Sequence, residues 1–218
     1  MSPNRSYYED NYRPFLPEDR DAPILDLGCG QGDFVRYLSG LGYRRITAVD
    51  RDSTAIAALE NTPGVTAVEG DAASLDQIPG GYALIVAKQM IYYVDRREAT
   101  SFVSALSHAL APNGRLVVEI FNGALLSSRF TELKDPAILT AYTENGLQRL
   151  LEQNGFVVEH LSGVKLRRRG FRGAIYSVAQ AAWFSLYRAL LIIERGRDDE
   201  LPRLSSKSII AVARRRPE

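Results

Sequence analysis

The chain has 218 residues and a formal net charge of +1, with 27 Lys and Arg against 26 Asp and Glu. Apolar residues make up 45% and charged residues 24%, which is typical of one globular domain with a full core. The near-neutral charge excludes a chain-wide attraction to nucleic acid, and the single cysteine excludes an internal disulfide. No signal-peptide core precedes the first strand, so we expect a cytoplasmic protein.

Along the chain, short apolar runs alternate with segments whose apolar residues have the spacing of an α-helix. The predicted strands comprise residues 22–28, 44–50, 65–71, 82–88, 115–121, 156–163 and 206–215. The predicted helices comprise residues 33–42, 53–64, 97–114 and 143–155, with Pro-Asn-Gly at 112–114 as a helix stop, followed by a long apolar helix at 174–195. Strands that alternate with helices predict an α/β fold, a doubly wound and mostly parallel sheet covered on both faces.

The segment ILDLGCGQG, residues 24–32, predicts a buried strand that ends in a glycine turn and leads into a helix. A dinucleotide-binding fingerprint has its third glycine three positions after the second, whereas here Gly32 follows Gly30 by two. Asp26 would repel a phosphate and suits a cation, such as the α-ammonium group of a methionine moiety. The predicted cofactor is therefore S-adenosylmethionine rather than NAD.

Three later strands also end in polar residues, and ligands of doubly wound sheets bind at these carboxyl ends. Asp50 is placed to bond both ribose hydroxyls, and Asp71 to accept from the adenine amine while the Ala72 amide contacts the ring. Tyr12 belongs to a tyrosine-rich segment, 1–21, that we interpret as a cover over the cofactor; a loosely ordered tail is the alternative. The predicted cofactor-binding residues are Tyr12, Asp26, Gly28, Cys29, Gly30, Gly32, Asp50, Arg51, Asp71, Ala72 and Lys88.

Four segments together resemble the motifs of class I S-adenosylmethionine-dependent methyltransferases. ILDLGCGQG is similar to the first motif, AVD at 48–50 to the second, EGDA at 69–72 to the third, and LAPNGRLVVEIFN at 110–122 to the region after the core. The resemblance runs from about Tyr7 to Arg216. It implies a single domain over 1–218 with a seven-stranded, mostly parallel sheet whose last strand is antiparallel, and no metal.

The strand end IFN and the phrase T-x-x-x-L-x-x-L-L-x-x-x-G-F resemble bacterial members associated with polysaccharide and lipopolysaccharide biosynthesis. This resemblance implies O-methylation of a sugar hydroxyl or a glycan-biosynthesis intermediate. A metabolite or natural-product O-methyltransferase is one alternative, and a non-catalytic S-adenosylmethionine-binding module that acts through protein contacts is another. The fourth motif, AKQMIYYV, lacks the Asn/Asp-Pro-Pro-aromatic signature for base amines, so nucleic acid is not the expected acceptor.

Acceptor-side residues are expected at the ends of the fourth and fifth strands. Methyl transfer needs the acceptor aligned behind the methyl group and water excluded. The candidates are Gln89, Tyr92, Tyr93 and Asn122, with Glu119 as a buried or paired carboxylate. Both tyrosines could equally be packing residues. His108 and His160 are interpreted as structural, and no general base is assigned.

The segment 165–205 adds a basic and apolar element to this fold. Four arginines, at 167, 168, 169 and 172, precede the helix 174–195, in which Arg188 is the only charge before Glu194. We consider first a lid or packing helix over the acceptor pocket, then a homodimer interface, and third an interfacial helix on the inner face of a membrane. The arginines could bind a nucleotide-sugar diphosphate or form a solvated loop.

Overall fold

The computed structural model describes residues 4–74, 79–167, 170–197 and 200–216. Its centre is a seven-stranded sheet in the order β3-β2-β1-β4-β5-β7-β6. The strands are β1 (Ile24–Leu27), β2 (Ile46–Asp50), β3 (Val65–Glu69), β4 (Tyr82–Lys88), β5 (Leu110–Phe121), β6 (Phe156–Gly163) and β7 (Ser208–Arg215). Strands β1 to β5 pair in parallel, and β7 runs antiparallel to both β5 and β6. The predicted fold class is confirmed.

Seven α-helices are found within the described ranges. They are α1 (Arg5–Asn11), α2 (Asp33–Gly40), α3 (Ser53–Ala57), α4 (Ala99–Ala109), α5 (Ser128–Lys134), α6 (Glu144–Gln153) and α7 (Gly170–Arg195), with 3-10 turns at Arg13–Phe15 and Ile91–Tyr93. Helices α1 and α5 were not predicted, and α3 is shorter than expected. Helix α6 begins as predicted, because the Thr143 hydroxyl accepts a hydrogen bond from the Gly146 N–H at 3.1 Å.

The Pro-Asn-Gly segment at 112–114 lies inside β5, so the prediction of a helix stop there is wrong. Leu110 already pairs with Tyr82, and the register then shifts so that Arg115 pairs with Leu84. The extra residues form a bulge, with Asn113 at φ 64°. A Cβ on Gly114 would lie 2.7 Å from the Tyr82 carbonyl oxygen, so glycine is required for the close approach.

Apolar side chains cover both faces of the sheet, and β1 is buried at all four of its positions. Leu25 and Leu27 pack in a cluster with side chains of α4 and α6, whereas Ile24 packs in a second cluster with side chains of α1 and α2. Because side chains alternate along a strand, Asp26 lies on the same face as Ile24. The strand therefore directs one carboxyl group into an otherwise apolar layer beneath α1.

Candidate functional site

The turn after β1 has the backbone conformation that its glycines permit. Gly28, Gly30 and Gly32 have φ values of 70°, 49° and 72°, in the left-handed region that glycine enters at little cost. A Cβ on Gly32 would lie 2.5 Å from the Leu59 side chain, and one on Gly28 would lie 3.0 Å from Met90. The turn therefore needs glycine for both backbone conformation and packing, and it leads directly into α2.

A cavity of about 240 Å³ lies against this turn at the carboxyl ends of β1 and β4. Its walls are formed by Tyr8, Asp26, Gly28, Cys29, Gly30, Gln31, Asp33, Phe34, Lys88 and Gln89. The fold thus brings together five of the predicted cofactor-binding residues and the acceptor-side candidate Gln89. Burial raises the pKa of the Cys29 thiol to about 12, so this thiol stays protonated and does not act as a nucleophile.

Asp26 is a buried ionisable residue in the wall of this cavity, with 2% of its surface exposed. Burial raises the pKa of Asp26 to about 7; the nearby Asp50 charge adds to the rise, and Lys88 opposes it. Lys88 also lies over the rings of Tyr7 and Tyr8, with its Nζ 5.9 Å from each ring centroid. A carboxyl group held in this way favours a cationic ligand, because a cation stabilises its ionised form.

Asp50 ends β2 beside the glycine turn, as predicted. Its Oδ2 accepts a hydrogen bond from the Gly30 N–H at 2.7 Å, and its Oδ1 accepts one from the Asp52 N–H at 3.0 Å. Asp52 in turn caps α3 by accepting from the N–H groups of Thr54 and Ala55. Asp50 therefore has a structural role that sequence analysis missed, since it fastens the turn to β2.

The other predicted cofactor residues lie outside the cavity lining. Asp71 is exposed, and its Oδ1 accepts a hydrogen bond from the Ala73 N–H at 2.9 Å, which fixes the turn after β3. Ala72 is buried in this turn, and Arg51 is exposed after β2.

Tyr12 is completely buried, and it is not among the residues that line the cavity. Its hydroxyl donates to Glu119 Oε2 on β5. The Tyr7 hydroxyl donates to the same oxygen at 2.6 Å. Tyr12 was predicted to contact the cofactor; in the structure it is Tyr8, from the same helix, that lies at the cavity wall.

Gln89 joins the cavity to this buried network. Its Nε2 donates to Glu119 Oε1 at 2.8 Å and to Ser208 Oγ at 3.2 Å. Its Oε1 accepts a hydrogen bond from the Tyr92 hydroxyl at 3.0 Å. The backbone of Gln89 has φ 55°, a costly conformation for a residue with a side chain. Tyr92 is buried and orients Gln89, so among the two tyrosines only Tyr93 presents an exposed surface.

Tyr93 is 36% exposed, and its hydroxyl donates to Asp135 Oδ2 at 2.8 Å. The hydrogen bonds from Tyr93 and from the Ala137 N–H hold the pKa of Asp135 below its usual range. Backbone N–H groups of Leu139 and Thr140 bond the Tyr92 carbonyl at 2.9 and 3.2 Å. The segment after α5 is thereby held against the end of β4, and sequence analysis missed Asp135 because the pair is 42 residues apart.

Asn122 was predicted to orient an acceptor hydroxyl; in the structure its side chain is bonded within the protein. It is 1% exposed, and its Nδ2 donates to the carbonyls of Leu204 at 2.9 Å and Ser206 at 3.1 Å. Its Oδ1 accepts from the Ala124 N–H at 3.0 Å. Because both amide hydrogens are used, Asn122 holds the chain before β7 against the end of β5.

Both histidines lie on the surface away from the cavity. His108 Nδ1 lies 2.8 Å from the Ser104 carbonyl oxygen, and His160 Nε2 lies 2.8 Å from Ser162 Oγ. Their structural interpretation agrees with this placement. Among the described residues, no group of three or more His, Cys, Asp or Glu is arranged to hold a metal ion.

The sheet order, the glycine turn and the carboxylates at the strand ends define a class I S-adenosylmethionine-dependent methyltransferase. The sequence comparison agrees: residues 3–161 match the model of a methyltransferase domain family, and the chain belongs to that family.

Several solved structures share this fold over almost the whole chain. An S-adenosylmethionine-dependent methyltransferase from Archaeoglobus fulgidus is 17% identical with a TM-score of 0.67, covering 96% of this chain and 91% of its own. One from Mesorhizobium loti is 19% identical with a TM-score of 0.65, and the match covers 93% of this chain and 95% of that one. A complex of DhpI with S-adenosylhomocysteine is 14% identical with a TM-score of 0.63, and the match covers 99% of this chain and 87% of that one.

Curated relatives match shorter stretches at higher identity. Ribosomal RNA small subunit methyltransferase A of Myxococcus xanthus is 38% identical over 78 residues, which are 34% of this chain and 27% of that protein. Ribosomal RNA small subunit methyltransferase C of Marinomonas sp. is 30% identical over 159 residues, 69% of this chain and 42% of that protein. The chain thus spans less than half the length of these relatives.

Proposed function

We propose that the chain transfers the methyl group of S-adenosylmethionine to a hydroxyl oxygen of a sugar or glycan-biosynthesis intermediate. The observation that carries the proposal is the cavity beside the glycine turn, into which β1 directs the buried Asp26. Its carboxyl group suits the cofactor's α-ammonium group. Family membership supports the methyl donor, and the resemblance to polysaccharide-biosynthesis members supports the acceptor class.

The cofactor would extend from the cavity along the strand ends. Its methionine part would lie against Gly28 and Gly30, whose missing side chains leave the backbone open. Each Asp50 oxygen accepts one hydrogen bond in the structure and has capacity for another, so the carboxylate can also bond the ribose hydroxyls. The adenine would lie beside Asp71 and Ala72 at the end of β3.

The acceptor would enter on the side of Gln89 and Tyr93. The Tyr92 and Tyr93 ring centroids are 4.8 Å apart, and the exposed Tyr93 ring can pack against a sugar. Asp135, the hydroxyl partner of Tyr93, can accept a hydrogen bond from the acceptor hydroxyl. We assign these groups to acceptor orientation, because the sulfonium is already a strong electrophile and alignment is the main requirement.

The names of the curated relatives favour a second candidate, a ribosomal RNA or ribosomal protein acceptor. The matched region is only 27–42% of those proteins, so it supports the methyl donor more strongly than the acceptor.

Transfer of labelled methyl groups distinguishes these acceptors. The chain is incubated with methyl-labelled S-adenosylmethionine and separate pools of nucleotide sugars, glycans, phenols, ribosomal subunits and ribosomal protein. We expect label in a sugar-containing pool, with release of S-adenosylhomocysteine. Label only in ribosomal material would establish the second candidate. Cofactor binding without transfer to any pool would favour the non-catalytic module.

The Asp50→Ala variant tests the cofactor position. We expect its affinity for S-adenosylhomocysteine to fall by about 1.5–3 kcal/mol, because hydrogen bonds from the ribose to a charged group are lost. Calorimetric titration measures the change. Asp52→Ala is the matched control, since it removes a nearby carboxylate that only caps α3 and should lower stability with little effect on affinity. Equal affinity in wild type and Asp50→Ala would rule out the ribose role.

A further inference from the structure

Helix α7 carries an apolar face that the described parts of the chain leave uncovered. None of its 26 residues is buried. Along one face, at steps of three or four residues, side chains more than half exposed are Phe171, Ile175, Val178, Leu186, Leu190 and Ile193, with the exposed Ala182 completing the row. We call this row the α7 stripe; it extends over ~30 Å at the rise of an α-helix.

The opposite face of α7 carries the polar contacts to the body. Gln180 Nε2 donates to the Ser205 carbonyl at 2.8 Å, and the Tyr187 hydroxyl donates to the Ala124 carbonyl at 2.8 Å. Arg188, the charge within the apolar run, is half-buried on this side. The half-buried Phe184 and Leu191 lie on this side too, so α7 has an inward apolar face as well as the outward stripe. A lid would use only the inward face, so covering the pocket does not account for the stripe.

The segment that contains the stripe is strongly basic, with Arg167 paired to Asp10 on α1 and Arg188 on the inward side. Residues 165–197 contain eight Lys and Arg and one acidic residue, Glu194, for a net charge of +7. Since the whole chain carries +1, the remaining residues carry −6. Arg172 is exposed near the start of α7, and Arg197 is exposed just after its end. Arg168 and Arg169 lie outside the described residues.

We propose that α7 lies in the interface of an anionic lipid bilayer, with the stripe among the acyl chains and the arginines at the headgroups. An apolar stripe with flanking cations is the pattern that binds such surfaces. No described helix has the length and hydropathy to cross a bilayer, so α7 would lie along the surface. Pairing of two copies through the stripe would instead bring together two segments that each carry a net charge of +7. These segments would repel each other, so a lipid surface is favoured over a second copy.

The chain contains its own probe, because Trp183 is its single tryptophan and is 55% exposed on α7. We would titrate the whole chain with vesicles of phosphatidylcholine alone and of phosphatidylcholine with phosphatidylglycerol. With anionic vesicles we expect a blue shift of the tryptophan emission, quenching by brominated lipid and co-sedimentation of the chain. With neutral vesicles, binding should be at least about tenfold weaker, and added salt should weaken anionic binding.

Two variants separate the apolar and the ionic contributions. Leu186→Glu with Leu190→Glu should abolish binding, and Arg172→Gln with Arg197→Gln should weaken it roughly thirtyfold. Val68→Glu, an exposed apolar position on the edge strand β3 at the opposite end of the sheet, should bind as wild type. Retained binding of S-adenosylhomocysteine shows that each variant is folded.

Three outcomes would overturn the proposal. They are equal binding to neutral and anionic vesicles, no loss of binding in the double glutamate variant, and a blue shift that rises with protein concentration without lipid. The last, with a doubled mass in sedimentation, would assign the stripe to a second copy. Methyl transfer is measured separately, so failure here leaves the proposed reaction unaffected.

Discussion

At the residue scale, burial changes the pKa of the carboxyl group of Asp26. The strand alternation places it in an apolar layer, where burial raises the pKa of its carboxyl group from 3.8 to about 7. Before the cofactor binds, the Asp26 carboxyl group is therefore largely protonated below pH 7. A cofactor that brings an ammonium group beside this carboxyl would favour the ionised form and lower the pKa again.

We expect Asp26 to release a proton when the cofactor binds. At pH 6 about nine-tenths of Asp26 is protonated before binding, whereas at pH 8.5 almost none is. We expect up to about 0.9 proton released by Asp26 at pH 6. At pH 8.5 Asp26 contributes close to none, and the α-amino group of the cofactor, with an ordinary pKa of about 8, takes up a proton to bind as the ammonium. Calorimetric titration with S-adenosylmethionine in buffers of different ionisation enthalpy measures this number.

The matched control is Asp26→Asn, which keeps the shape of the side chain and removes the titrating group. At pH 6, the binding enthalpy of this variant should depend less on the ionisation enthalpy of the buffer than that of the wild type. If wild type and variant depend equally on the buffer, the ammonium group does not lie at Asp26.

At the scale of elements, α1 is fastened over the sheet by the carboxyl group of Glu119. The hydroxyls of Tyr7 and Tyr12 and the amide of Gln89 all donate to this buried group. The network therefore joins α1, the end of β4 and the middle of the sheet at β5. Since Tyr8 on the same helix lines the cavity, the position of α1 affects the shape of the cavity in which we propose that the cofactor binds.

Removal of the Tyr12 hydroxyl measures how much its hydrogen bond to Glu119 contributes to the free energy of unfolding. We expect Tyr12→Phe to lower the free energy of unfolding by about 1.5–3 kcal/mol, because it removes a hydrogen bond to a buried carboxylate. Tyr43→Phe is the control: Tyr43 is similarly buried, but its hydroxyl donates to the neutral Pro17 carbonyl, so about 1 kcal/mol is expected. Urea unfolding gives both values, and equal losses would contradict the role assigned to Glu119.

Several elements could be predicted because their signals are local. The cap of α6, the glycine turn and the apolar run of β1 depend on neighbouring residues, and the structure confirms them. Helix α1 was not predicted, since its tyrosines pack against distant side chains. The bulge in β5 was missed because Pro-Asn-Gly is as common at helix ends as in bulges, and only the partner β4 decides between them.

At the scale of the whole molecule, cofactor binding should stabilise the fold, because the ligand binds only the native chain. At a ligand concentration 100 times the dissociation constant, the gain is about 2.7 kcal/mol. For a domain of this size, that gain corresponds to a rise of roughly 5–11 °C in the melting temperature.

Thermal unfolding with S-adenosylhomocysteine checks this expectation, and NAD at the same concentration is the control. We expect a shift with the first ligand and none with the second, because the turn spacing and Asp26 disfavour a pyrophosphate. A larger shift with NAD would reverse the cofactor assignment.

The sequence by itself determined the α/β sheet and the methyl donor. Both depend on local patterns: strand and helix periodicity, the glycine spacing at 28–32 and carboxylates at strand ends. Only the tertiary structure decided the contacts of the residues proposed for the acceptor side: Tyr93 meets Asp135, Asn122 is fully bonded and Gln89 joins Glu119. These pairs lie 30 to 82 residues apart, and no local pattern specifies which distant group satisfies a buried polar atom. The same is true of α7, because its residues predict an apolar helix but only packing shows which face stays outside.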